Sequence, residues 1–163
     1  MNFRFGDIVW FKFPRDPNRP QFTMEGNHPA LILHDYNHPN QTIVLSPLSS
    51  LRDKNGSEKT LQSYHLKLLK KDYPDLSNDS FVKLDQIMTF SRHRIRGSTL
   101  ICGLSKKDKA STHLKLIETL QMQDTIKELS RQQLDSAVER LLDEYIDSVL
   151  QQSTEKAKKP PQP

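Results

Sequence analysis

Residues 26–35, GNHPALILHD, decide how the rest of the chain is read. Gly26-Asn27 is a turn signal, and Pro29 to Leu33 is a short apolar run, the pattern of a buried strand. The residue before a proline is held extended. His28 is therefore a polar side chain fixed at the mouth of that strand, either an idle junction residue or the working group of a site. Upstream, residues 5–13, FGDIVWFKF, start with a Gly-Asp turn and become strongly β-prone. Ile8, Trp10 and Lys12 alternate there with Val9, Phe11 and Phe13, and Trp10 is expected in the core. Between these strands, residues 14–27 hold three prolines and no period, which predicts a long loop of the kind that often carries function. Downstream, TIVLSPL at 42–48 reads as a third strand after an HPNQ turn. LRDKNGSEKT at 51–60 is a polar loop around an Asn55-Gly56 turn. Residues 62–69 alternate as a fourth strand, and 80–90 form a fifth with a bend near Leu84-Asp85. Five short strands with turn signals between them point to a small barrel or sandwich.

The C-terminal third changes period. SKKDKASTHLKLIETLQ, 105–121, has a capping pair in Ser105 and Asp108 and a weak helical face through Leu114 and Ile117. DTIKEL at 124–129 reads as a last short strand. From Ser130, Leu134, Ala137, Val138, Leu141, Leu142, Tyr145, Ile146, Val149 and Leu150 make one apolar stripe, a helix over about 130–151 whose stripe needs a barrel or a partner to cover it. Residues 152–163 are polar and Pro-ended, and a disordered tail is expected.

Composition narrows the classes. The chain has 163 residues, enough for a real core. No apolar run approaches the roughly 18 residues of a membrane helix, and the N-terminus lacks the pattern of a signal peptide. A single cysteine, Cys102, excludes an internal disulfide framework and fits a reducing compartment. A cytoplasmic protein is expected. The net charge is +4, made of +3 over residues 1–95 (13 Lys+Arg against 10 Asp+Glu), +3 over 96–121 (5 against 2) and −2 over 122–163 (6 against 8). A basic N-terminal part is compatible with a polyanionic partner without demanding one. Phosphate loops, Cys/His metal spacings and nucleophile elbows are all missing from the sequence, so no metal or cofactor is expected.

Four segments, in order, carry a resemblance: FGDIVWFKF with its Pro-containing loop, HPALIL, NDSFVKLDQIMTFSRHRI and IKELSRQQLDSAVERLL. They resemble the opening strand, second strand, DSxxxxDQIRT signature and closing strand and helix of the MazF/PemK (Kid-like) toxin family of type II toxin–antitoxin systems, over about residues 4–95 and 124–145. The resemblance implies an α+β, mainly β fold: an SH3-like small barrel of the MazF/CcdB kind, with a long C-terminal helix, in a single domain over 1–151. Residues 96–121 exceed the pattern and are expected as an insertion. The resemblance further implies a homodimer, a cognate antitoxin protein and metal-independent cleavage of single-stranded RNA to 2′,3′-cyclic phosphate and 5′-hydroxyl ends.

Carried over position by position, the family's arginine before the second strand falls on His28. Its threonine after the third strand falls on Ser49, and its DQ pair on Asp85 and Gln86. These make His28, Ser49 and Asp85 the expected catalytic residues. Arg19, Ser50, Arg52, Lys83, Gln86, Thr89, Arg92 and Arg94 are the expected RNA contacts, with Arg19 or Arg52 replacing the lost guanidinium. A histidine supplies a donor and a proton that titrates near pH 6.5 when unperturbed, so His28 suits a general acid or base. Two other readings stay open: an RNA-binding barrel that has lost catalysis, and a toxin of the same fold that poisons a protein target, as gyrase inhibitors do.

Overall fold

A computed structural model describes residues 3–15, 24–35 and 41–157, with side chains up to Ile146. It divides into two units, residues 1–120 and 121–163. Among the described residues the first unit holds seven strands: β1 (Asp7–Phe13), β2 (Gly26–Ile32), β3 (Thr42–Ser50), β4 (Leu66–Leu68), β5 (Ser80–Val82), β6 (Met88–Ser91) and β7 (Leu100–Gly103). A 3₁₀ turn, Arg92–Ile95, follows β6, and helix α1 (Lys106–Thr119) follows β7. The second unit is helix α2 (Gln123–Ala157).

All the strand pairs are antiparallel, in the order β4-β5-β3-β2-β1-β7, with β6 also on β3. β3 organises the sheet. Along one edge it pairs with β2; along the other its first half pairs with β6 and its last three residues with β5. The expected fifth strand is thus two strands, and Leu84-Asp85 lie in the turn that breaks it. That turn is pinned to β3: the Lys83 amide donates to the Pro47 carbonyl at 2.9 Å, and the Ser46 hydroxyl donates to the Lys83 carbonyl at 2.8 Å. One strand shared by both parts of the sheet in this way curls the whole into a half-barrel.

The register explains why the strands read as near-continuous apolar runs. Ile8 stands opposite Leu31, and Val9 opposite Ala30. Adjacent residues point to opposite faces, and both faces are covered. One core holds Ile8 and Leu31 with Leu48, Leu68, Val82 and Leu84. The other holds Val9, Phe11, Phe13, Ala30 and Ile32 with Ile43, Leu45 and Ile95. Each fully buried large side chain contributes about 1.5–3 kcal/mol.

Four expectations are corrected. The fourth strand spans only Leu66–Leu68, because residues 62–65 form a turn in which the His65 amide donates to the Gln62 carbonyl. The strand Leu100–Gly103 on the edge of β1 was not expected. Residues 124–129 are helical, not a strand: Asp124–Lys127 and Glu128–Arg131 ion pairs and a Gln132–Glu128 hydrogen bond sit on the α2 surface at helical spacing. Residues 152–157, expected in a disordered tail, are instead the last turns of α2. The capping pair at Ser105 is present, since its Oγ accepts the Asp108 amide at 3.1 Å. Among the described residues, no helix is long and apolar enough to cross a membrane.

Candidate functional site

On β1 and β2 the face that carries Ile8 and Leu31 also carries Trp10 and Pro29, which stand opposite each other. There the core gives way to a cleft of about 580 Å³. Its apolar wall includes Trp10, Pro29, Leu48, Leu76 and Ile101. The residues lining it also include His28, Ser49, Ser50, Arg52 and Lys59, with Asp53 and Asp75. Trp10, expected in the core, is 43% exposed. Strand alternation puts it on the buried face, but it lies past the end of the core packed there.

His28, paired with Phe11 across the sheet, is half-buried. Ser49 and Ser50 end β3, next to Phe81 and Ser80 of β5. The loop after them is a tight hairpin. Gly56 has φ +84°, a left-handed value that suits glycine. The Asp53 carboxylate accepts the amides of Asn55 (2.8 Å) and Ser57 (2.9 Å). The Lys59 amide donates to the Leu51 carbonyl at 2.8 Å. This fold-back carries Lys59 onto β3. Its ammonium donates to Ser49 Oγ at 3.1 Å and to the Ser50 carbonyl at 2.9 Å, and it lies 5.9 Å from the Phe81 ring centroid.

Four of the eleven expected site residues therefore share the cleft: His28, Ser49, Ser50 and Arg52. Arg52 spends a guanidinium hydrogen on the Gly56 carbonyl at 2.9 Å. Asp85 does not line the cleft; it contacts His65 Nε2 at 3.2 Å, and His65 Nδ1 accepts the Gln62 amide at 3.2 Å. That arrangement ties the turn after β5 to the turn before β4. Lys83 and Gln86 belong to the same turn, where the Gln86 amide donates to the Lys83 carbonyl at 2.8 Å. Thr89 and Arg94 are exposed on and just after β6, and Arg92 is half-buried. The Arg94 guanidinium lies 5.5 Å from the Phe90 ring centroid. Arg19 lies outside the described residues.

Lys59 and Trp10 are the residues that sequence reasoning missed. The Asn55-Gly56 turn was the available signal for Lys59, because a tight hairpin there returns the chain to β3. Outside the cleft, Lys67 donates to Glu58 at 2.9 Å and holds that carboxyl below its usual range. Burial raises the Cys102 thiol, helped by Asp75 and Asp7, so the thiol stays protonated near neutral pH. Among the described residues, no group of three or more His, Cys, Asp or Glu side chains is placed to hold a metal ion.

A curled antiparallel half-barrel with a cleft of apolar, hydroxyl and charged residues between the start of β2 and the end of β3 is the class that fold and site define. The family described as PemK-like, MazF-like toxin of type II toxin-antitoxin system matches residues 4–120, and the chain belongs to it. The matched range includes β7 and α1. The fold is similar to that of MazF from Deinococcus radiodurans (20% identity, 74% of this chain and 97% of that one, TM-score 0.55). It is also similar to a MazE–MazF structure from the same organism (18% identity, 74% and 96% covered, TM-score 0.52). A third likeness is to an endoribonuclease in complex with its cognate antitoxin from a mycobacterial species (14% identity, 72% and 94% covered, TM-score 0.50). No curated protein matches the chain.

Proposed function

We propose that this toxin is a metal-independent endoribonuclease acting on single-stranded RNA, with the cleft as its active site. The observation that carries this reading is the meeting of His28 and Ser49 in one cleft, in a chain of this family. In the reaction, a base takes the proton of the 2′-hydroxyl and the 2′-oxygen bonds to phosphorus. The bond from phosphorus to the 5′-oxygen breaks, and an acid protonates that oxygen. The products are a 2′,3′-cyclic phosphate and a 5′-hydroxyl. His28 serves as the acid or the base, and Ser49 donates to a phosphate oxygen as charge builds there. Asp85, bound to His65, is given no chemical step. Thr89, Arg92 and Arg94 form a path for flanking nucleotides, where guanidinium–phosphate contact and stacking on Phe90 suit an extended strand. The active form is a homodimer, and a cognate antitoxin protein blocks the cleft.

The test uses purified protein, EDTA and a mixed-sequence single-stranded RNA. Discrete fragments with cyclic-phosphate ends are expected. His28→Ala should cut about 10² to 10⁴-fold more slowly with an unchanged melting curve. Intact RNA from folded protein would move the assignment to an RNA-binding barrel or a protein-target toxin. Undiminished cleavage by the variant would return His28 to a junction residue.

A further inference from the structure

We infer that Lys59 is the phosphate-binding cation of the cleft, in place of the guanidinium that His28 lacks; this rests on the ribonuclease reading above. Three observations support it. The first is hydrogen-bond direction. An ammonium has three donors and cannot accept, so in its 3.1 Å contact with Lys59 the Ser49 hydroxyl is the acceptor. The hydroxyl's own hydrogen is then left for a ligand. Lys59 spends a second hydrogen on the Ser50 carbonyl, and its third is left for a ligand as well. Two donors, one of them charged, thus stand side by side in the cleft. That is what a phosphate oxygen gaining charge requires.

The second observation is placement. Lys59 is half-buried, whereas the other cleft cations, Arg52 and Lys54, are exposed. Two fixed hydrogen bonds hold the Lys59 ammonium in place before any ligand arrives, and a partly desolvated charge attracts a phosphate more strongly than one in bulk water. The third is competition. Arg52 is turned back onto its own hairpin by the Gly56 carbonyl, and Glu58 is engaged by Lys67. Lys59 makes no ion pair with a described residue, although Asp53 and Asp75 line the same cleft.

Lys59→Gln and Lys59→Arg test the assignment in the full chain. Cleavage of single-stranded RNA by Lys59→Gln should fall about 10² to 10³-fold, and Lys59→Arg should recover most of it. Binding is read separately with a 2′-deoxy oligonucleotide, which cannot be cut by this route. The slope of log affinity against log salt should fall by about 0.7 in Lys59→Gln, the loss of one single-strand phosphate contact. Full-rate cleavage by Lys59→Gln, or an unchanged salt slope, overturns the inference. A parent protein that binds the oligonucleotide but cuts no RNA sinks the ribonuclease reading alone, and the salt slope still decides Lys59. A parent that neither binds the oligonucleotide nor cuts RNA sinks both. Should Lys59→Gln fail to fold, the unsubstituted protein supplies the result. The oligonucleotide should protect Lys59 from amine-reactive labelling, and undiminished labelling overturns the inference.

Discussion

At the scale of the residue, the cleft depends on where alternation runs out. Trp10 has the parity of a core side chain, but Ile8, two residues earlier, is the last buried residue on that face of β1. Its indole is left beside Pro29 at the cleft wall. It is the sole tryptophan, so its emission reports on this cleft. A 2′-deoxy oligonucleotide should quench or shift that emission. Trp10→Ala should weaken binding by the roughly 1–3 kcal/mol of one base–aromatic stack and leave the melting temperature near the parent's. Unchanged emission at saturating oligonucleotide would place the strand elsewhere. His28 was legible in the sequence because Pro29 fixes its backbone. Lys59 was not, since it enters the cleft only when the Asn55-Gly56 hairpin closes on β3.

At the scale of the element, stability rests on short strands that the core holds in place. β4 and β5 have three residues each, too few for ladder hydrogen bonds to stabilise them alone. Leu68 and Leu84, both 0% exposed, provide the burial instead. Leu84→Ala should cost about 2–5 kcal/mol, read as a lower urea midpoint with an unchanged slope. Helix α1 is fastened at its start by Tyr73, whose hydroxyl accepts the Ser105 amide at 3.1 Å and donates to the Asp108 carboxylate. Burial, and then the hydrogen bond to Asp108, raise the Tyr73 hydroxyl above its ordinary value near 10. A raised folded value favours the protonated form. The stability it contributes is therefore complete below about pH 10 and lost as pH climbs through the folded value. Unfolding measured from pH 7 upward should show the parent more stable than Tyr73→Phe, with the gap closing above pH 10. A constant gap would contradict this.

At the scale of the whole molecule, both cores are built from residues 3–116, and the family match ends at residue 120. A chain ending at Leu120 should therefore melt in one cooperative transition within a few degrees of the full chain, while losing the helical ellipticity of α2. Loss of the transition would show that residues 121–163 complete the fold. Helix α2 has its own unanswered burial: Leu134, Leu141 and Tyr145 are 64%, 65% and 67% exposed. For the proposed homodimer, light scattering should give twice the chain mass at micromolar protein. A monomer at that concentration would remove the dimer from the reading.

What the sequence determined by itself was local. Apolar runs bounded by Gly, Pro and Asn placed β1, β2 and β3, because short-range sterics and burial dictate them. The Ser105 cap marked the start of α1, and the ordered family motifs pointed to the fold and to the cleft residues His28 and Ser49. Tertiary structure decided the rest. The pinning of Lys83 to β3 split one expected strand into two, and edge pairing with β1 made a strand of Leu100–Gly103. Residues 124–129, where the pattern had suggested a strand, belong to helix α2. Asp85 was placed against His65 rather than in the cleft, and a hairpin carried Lys59 onto β3. The strand pairings and the Asp85–His65 contact depend on segments distant in sequence, whose geometry no local pattern of residues encodes.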